Sequence, residues 1–225
     1  MCGDWDLTAY AKGVVCQVEA NPGDSRNFAL VVPIKRFSDA KRRLAGIVSA
    51  PDREQLARAM AERVLGAGSG LRIIVVSNDD AVSAWAVALH AEVVHDGGGG
   101  LNGAVRTGVD FARGSGSRSA IIIHADIPLA TSLDRFVATP AGTATIVPDA
   151  RNDGTNVMVV PTDSKIVFQY GPGSFGRHHR ELLRVGLNVI VSPDVHLGAD
   201  VDHPSDLAVA RNAGLWPIRP KASAQ

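Results

Sequence analysis

Phe28-Ala29-Leu30-Val31-Val32-Pro33-Ile34 runs seven residues without a polar side chain. A strand with one wet face alternates apolar and polar residues, so an unbroken run of this length predicts a strand covered on both faces of a parallel sheet. Outward from it, comparable runs recur at Leu71–Ser77, Ala91–Val94, Ala120–His124 and Ala144–Pro148. Helix-like patterns lie between them over Asp52–Leu65, Asp80–Leu89, Leu101–Phe111 and Ser132–Ala138. Alternation of this kind predicts a Rossmann-like α/β fold with a mostly parallel central sheet flanked by helices. After Asp153 the rhythm changes. Strands are expected at Asn156–Pro161 and Ile166–Tyr170, joined by a turn at Thr162-Asp163-Ser164, as a small inserted β region after residue 150. A helix over Ser174–Val185, a strand over Asn188–Ser192 and a helix over Pro204–Asn212 complete the reading. Residues 27–218 are read as one domain, after an extension at 1–26 and before a tail at 219–225.

The bulk composition agrees. A chain of 225 residues with 45% hydrophobic and 20% charged residues suits a single globular α/β domain. Lys plus Arg and Asp plus Glu each total 23, which removes any general attraction to nucleic acid or anionic membrane. Any phosphate must therefore be met by local charge. Two cysteines, Cys2 and Cys16, without metal-like spacing argue against a disulfide or zinc framework and for a reducing cytoplasm. No apolar run approaches the length of a membrane span, and the first residues do not read as a signal peptide.

Ligands of such sheets sit beyond the carboxyl ends of the strands. After the first strand, Lys35, Arg36, Lys41, Arg42 and Arg43 fall within nine positions. A solvated basic loop would look the same, but the position favours a polyphosphate held by Lys35, Lys41 and Arg43, with Pro33 at the strand end. After the second strand, Asp79 or Asp80 reads as a helix cap, which leaves Ser77 and Asn78 to meet a base edge. The run Gly97–Gly100 before a helix lets backbone approach a ligand, with Gly100 and Asn102 at the helix start, and a flexible loop explains the run equally well. It matches neither a P-loop nor a dinucleotide fingerprint. After the fourth strand, Asp126 is placed to hold Mg²⁺ against phosphate oxygens. Asp200 and Asp202, two apart in an extended stretch, point the same way and read as its partners, with helix capping as the alternative for Asp202. Ser174 reads as the N-cap of its helix, relaxed by Gly171 and Gly173, at a helix start suited to a phosphate or carboxylate. His178 and His179, adjacent on a helix, face different sides, which argues against a shared metal; they read as a surface pair, with a place for one of them near substrate as the alternative.

In order, VPIKRFSDAKRRL, GGLNGAV, HADIPL, DGTN, GPGSFGRHH and DVDHPSDL resemble the 2-phospho-L-lactate or phosphoenolpyruvate guanylyltransferases of deazaflavin coenzyme F-420 biosynthesis, over roughly Phe28 to Leu215. The resemblance implies a nucleotidyltransferase fold that transfers GMP from GTP to a small phosphorylated acid. It aligns Lys35, Lys41 and Arg43 with the triphosphate segment, Asp126 and Asp200 with the metal acids, and Thr155, Gly171 and Ser174 with the acceptor. Mg²⁺ is the implied cofactor. The chain departs from the pattern at His124-Ala125, where the family often has Gly, and at Gly173, where an acid can stand. The expected catalytic set is Lys41, Arg43, Asp126 and Asp200, with Asp202 assisting. Phosphoenolpyruvate, 2-phospho-L-lactate and 3-phospho-D-glycerate all remain open as acceptors, and a homodimer is allowed. A CTP or sugar-phosphate nucleotidyltransferase, or a non-catalytic nucleotide-binding module, is the rival reading.

Overall fold

A computed structural model describes residues 24–215, so Cys2, Cys16, most of the expected extension and the tail lie outside the described residues. The elements, in chain order, are β1 (Phe28–Pro33), α1 (Ala50–Ala67), β2 (Arg72–Val76), α2 (Asp80–Ala88), β3 (Glu92–Val94), α3 (Gly100–Gly114), β4 (Ser119–Ile123), β5 (Thr143–Pro148), β6 (Thr155–Pro161), α4 (Ser174–Arg184), β7 (Asn188–Val191) and α5 (Leu207–Asn212). One seven-stranded sheet takes the order β3-β2-β1-β4-β6-β5-β7. β1 runs parallel to β2 and β4, with Val31 opposite Ile74 on one side and Ile122 on the other. β6 alone is antiparallel, between β4 and β5.

The central strands are largely apolar because they are covered on both faces. Leu30, Val32, Ile121, Ile123, Val157 and Val159 face one layer with Ala57, Ala61 and Val64 of α1 and Val82 and Ala86 of α2. Their neighbours Ala29, Val31, Ala120, Ile122, Met158 and Val160 face the other, with Ala104, Val105, Val109 and Ala112 of α3 and Leu182 of α4. The period of two along each strand divides one apolar run between two cores. Helix α3 lies so close to the sheet that a Cβ on Gly108 would sit 2.4 Å from Val31 Cγ1 and 2.8 Å from Val76 Cγ2. Ser49 caps α1 and Asp79 caps α2 through its Oδ1, which accepts from the Val82 N–H.

A third, smaller core positions the site. Leu44 and Val48, after β1, pack with Leu56 and Met60 of α1 and with Val201, Leu207 and Ala210 near the C-terminal end. Full burial of a side chain such as Leu44 or Val201 contributes about 1.5–3 kcal/mol, enough to hold two loops distant in sequence face to face.

Several expected elements take other forms. Ser132–Ala138 is no α-helix; it holds a 3-10 turn over Asp134–Ala138, entered by the Ser132 hydroxyl accepting from the Asp134 N–H. The 204–212 stretch is a 3-10 turn at Pro204–Asp206 followed by α5. The inserted β region is not separate, because β6 joins the main sheet. Its expected partner, Ile166–Tyr170, forms no strand. Its backbone donors go to side chains instead: Val167 to Glu181, Gln169 to His178 and Tyr170 to Asn102.

Candidate active site

The carboxyl ends of β1, β2 and β4 open on a cleft with two adjoining lobes. The first, of about 380 Å³, is lined by Pro33, Lys35, Ser77, Asn78, Gly100 and Asp96 among others. That size lies within the roughly 300–1,000 Å³ usual for small-molecule sites. Five of the residues expected to bind nucleotide thus converge. Asn102 does not line either lobe; its Oδ1 accepts from the Tyr170 N–H at 2.6 Å. The glycine run turns sharply, with Gly98, Gly99 and Gly100 all at positive φ (96°, 89° and 66°), and a Cβ on Gly103 would meet the Gly98 carbonyl oxygen at 2.0 Å. The start of α3 is thereby brought up to the cleft with its N–H groups available to an anion. Asp96, which sequence reasoning passed over, holds this loop by accepting from the Gly98 N–H at 2.5 Å. It lies two residues beyond the end of β3, so the rule of strand carboxyl ends was a signal for it.

The second lobe shares Pro33 and Lys35 and reaches Lys41, His124 and Asp126. Lys41 sits in left-handed backbone conformation (φ 54°), which costs a non-glycine residue about 1–2 kcal/mol. Its side chain is 8% exposed, and its ammonium bridges Asp126 Oδ2 at 2.5 Å and Asp202 Oδ1 at 3.1 Å. Arg43, largely exposed, meets the other Asp202 oxygen at 3.1 Å. Burial alone would lower the pKa of Lys41, but Asp126 and then Asp202 more than offset it and keep the ammonium charged. Burial alone would likewise raise the pKa of Asp126, yet Lys41 and then His124 hold the carboxylate ionised below its ordinary range. Asp200 moves the other way, raised by burial and then by the negative charge of Asp126. Its Oδ1 lies 3.5 Å from Asn156 Nδ2, and the Val201 N–H donates to the Asp126 carbonyl at 3.2 Å, which stitches the two acidic segments together. Asp202 does not cap the final helix: the Asp206 carboxylate accepts from the Asp202 and His203 N–H groups instead. The other basic residues of the β1 loop are engaged elsewhere, Arg36 with Asp79 and Arg42 with Asp39.

Two buried polar atoms beside this cluster have no hydrogen-bond partner, Asp126 Oδ1 and His124 Nε2. A buried acceptor of full charge without a partner is costly. Among the described residues, no three His, Cys, Asp or Glu side chains gather closely enough to hold a metal ion by themselves. Mg²⁺ needs no such cage, since it is commonly held by one or two carboxylates together with substrate phosphate. The free oxygen of Asp126 and the neighbouring Asp200 fit that mode.

The three residues aligned with the acceptor stand together but outside both lobes. Thr155 and Ser174 are buried, with their hydroxyl oxygens 3.5 Å apart. Ser174 is not the N-cap of α4; Gly173 is, at φ 69°, and Ser174 is the first helical residue. Asp153 already occupies the helix start, its Oδ2 accepting from the Gly173 N–H and its carbonyl from the Phe175 N–H. His178 is no surface residue but fully buried, while His179 is partly exposed. The sequence signal for this was period: His178 falls four residues after Ser174 and four before Leu182, both buried.

Comparisons with known proteins give the chain's family and fold. Residues 28–210 match the family model "Guanylyl transferase CofC like". The phosphoenolpyruvate guanylyltransferase of Rubrobacter xylanophilus is 36% identical over 198 residues, covering 85% of this chain and 97% of that protein. The 2-phospho-L-lactate guanylyltransferase of Methanothermobacter thermautotrophicus is 31% identical, covering 79% and 81% respectively. Among solved structures, one described as a nucleotide-diphospho-sugar transferase from Desulfovibrio desulfuricans superposes with a TM-score of 0.65 at 17% identity, covering 88% of this chain and 90% of that one. CMP:2-keto-3-deoxy-manno-octonic acid synthetase with CTP gives 0.52 at 15% identity, covering 82% and 97%. At such identities these structures speak for the fold alone.

Proposed function

The chain belongs to the CofC-like guanylyl transferase family, and from that premise we propose that it transfers GMP from GTP to a small phosphorylated acid, phosphoenolpyruvate or 2-phospho-L-lactate, in coenzyme F-420 biosynthesis. The observation that carries the chemistry is the charged cluster at the inner end of the cleft: Lys41 between Asp126 and Asp202, with one Asp126 oxygen buried and unpaired. Guanine is assigned to the lobe lined by Ser77 and Asn78, and the triphosphate to the space between Lys35 and the start of α3.

An oxygen of the acceptor's phosphate attacks the α-phosphorus of GTP. One P–O bond forms, the α–β bridging bond breaks, and pyrophosphate departs. The nucleophile is already an anion, so no side chain has to remove a proton, and the protein acts by positioning and by opposing charge. Asp126 and Asp200, with Asp202 beside them, are the residues to hold Mg²⁺, which would supply positive charge between two anions as they meet. Lys41 and Arg43 neutralise the departing pyrophosphate, and Thr155, Gly171 and Ser174 orient the acid. No helix of the described residues is long and apolar enough to cross a membrane, and the cytoplasm is the compartment proposed.

Pyrophosphate release tests this directly, with GTP or CTP, Mg²⁺, and each of phosphoenolpyruvate, 2-phospho-L-lactate and 3-phospho-D-glycerate. GTP with one of the first two acids is expected to turn over. Release with CTP alone, or with no acid, would overturn the assignment. Asp126→Asn is expected to abolish release while circular dichroism stays that of the parent; full activity in that variant would remove Asp126 from the mechanism.

A further inference from the structure

We propose that His178 is a positioning residue for the acceptor: it orients the Thr155 hydroxyl and the backbone leading to Gly171 toward the anionic oxygens of the phosphorylated acid. The proposal rests on the assignment of Thr155, Gly171 and Ser174 to that acid, and adds a residue outside the set.

His178 is fully buried on α4 and touches Thr155 of β6 and both Gln169 and Tyr170 of the 166–170 segment. Its Nε2 lies 2.8 Å from the Gln169 amide and accepts from that N–H. An imidazole nitrogen that accepts carries no proton, so in the neutral ring the proton is on Nδ1. Nδ1 is 3.0 Å from Thr155 Oγ1 and therefore donates to it. The Ser174 hydroxyl approaches the same oxygen at 3.5 Å, also as donor. With both lone pairs of Thr155 facing donors, its own hydroxyl proton is left to be given away. A partner that only accepts hydrogen bonds, such as a phosphate or carboxylate oxygen, suits that proton.

Protonation at Nε2 would break this order. Burial first, then the charge of Arg177, holds His178 at a pKa of about 4, so the ring stays neutral at working pH. The ring of Tyr170 packs against it in a T-shaped contact with centroids 4.6 Å apart. Tyr170 is followed by Gly171, at φ 121°, whose carbonyl accepts from the Ser174 N–H at 3.0 Å. Because the 166–170 segment is pinned by side chains and not by a strand ladder, its course depends on these few contacts. One imidazole thus sets both the polarity of Thr155 and the approach of the Gly171 loop.

Two substitutions divide its bonds. Gln at 178 carries an acceptor to the Nε2 position and keeps the Gln169 contact, but has no donor for Thr155. Asn at 178 carries its amide N–H₂ near the Nδ1 position and keeps the Thr155 contact. In steady-state assays, His178→Gln is expected to raise KM for the acid about tenfold, the size of one lost hydrogen bond to a charged ligand, with KM for GTP unchanged. His178→Asn is expected to recover most of that, within about threefold of the parent. Thr155→Val should raise the same KM, and adding His178→Gln to it should cost nothing more. If Thr155→Val changes acid KM and His178→Gln does not, or if His178→Gln raises both KM values alike, His178 is not a positioning residue. If Thr155→Val leaves acid KM unchanged, Thr155 does not meet the acceptor and the underlying assignment falls with it. Should His178→Gln not fold, His178→Ala, which removes both contacts, takes its place: an unchanged acid KM in it overturns the proposal, and a rise of about tenfold that His178→Asn largely recovers supports it.

Discussion

At the scale of single residues, the site is built from groups whose ionisation is controlled by their neighbours. Lys41 and Asp126 keep each other charged against the pull of burial, and Asp200 is discouraged from ionising by burial and then by the same Asp126. His178 ties stability to pH nearest the working range. Its folded pKa of about 4 lies below the ordinary 6.5, so between those values the unfolded chain binds a proton that the folded one refuses. Stability is therefore full above pH 6.5 and falls as the pH drops toward 4, by about 3 kcal/mol from this group. Glu181, held at about 2 chiefly by Arg184, loses its contribution only at lower pH, and Asp200, raised, works in the opposite sense above 3.8. Chemical denaturation at pH 7, 6, 5 and 4.5 should show the loss in the parent and a clearly smaller one in His178→Gln. Equal slopes in the two proteins would refute the buried neutral imidazole. Asp126, Lys41 and Arg43 were legible in the sequence because each follows a strand or belongs to its loop. The burial of His178 was less so, since two adjacent histidines read as polar until the helix face is known.

At the scale of elements, α3 shows how closely glycine placement ties packing to the site. Gly108 lets the helix lie on Val31 and Val76, and Gly103 lets the glycine loop fold back over the helix start. Gly108→Ala inserts a methyl where no space exists and is expected to cost about 1–3 kcal/mol, read as a fall in the thermal midpoint of roughly 2–4 °C per kcal/mol for a chain of this size. Gly46→Ala is the control, since a Cβ there has nothing within 4 Å. A midpoint for Gly108→Ala equal to that of the control would show that α3 can shift without cost. The strands and long helices were readable because burial imposes its period on them. Ile166–Tyr170 was not: its apolar and β-branched composition reads as a strand, but Glu181, His178 and Asn102 take the amides that a ladder would need.

At the scale of the whole molecule, the site exists only where the three cores bring residues 41, 126 and 202 together. Lys41 reaches Asp126 across 85 positions and Asp202 across 161. A ligand that bridges these segments stabilises the fold by mass action, about 2.7 kcal/mol at a concentration 100 times its Kd. GTP and Mg²⁺ together are expected to raise the thermal midpoint by more than the sum of either alone, since each supplies charge the other needs. An identical rise with GTP in excess EDTA would remove the metal from the proposal. The sequence by itself determined the layered α/β architecture, the strand ends at which ligands meet the sheet, and, through its ordered motifs, the family. These are local matters, set by apolar period and by residue types at fixed offsets. Tertiary structure decided the rest: that β6 enters the sheet antiparallel, that Asp202 joins Lys41 and Arg43 instead of capping a helix, and that His178 is buried against Thr155. Each depends on contacts between segments far apart in the chain, where the cost of closing a loop is met by burial elsewhere, such as that of Leu44 against Val201.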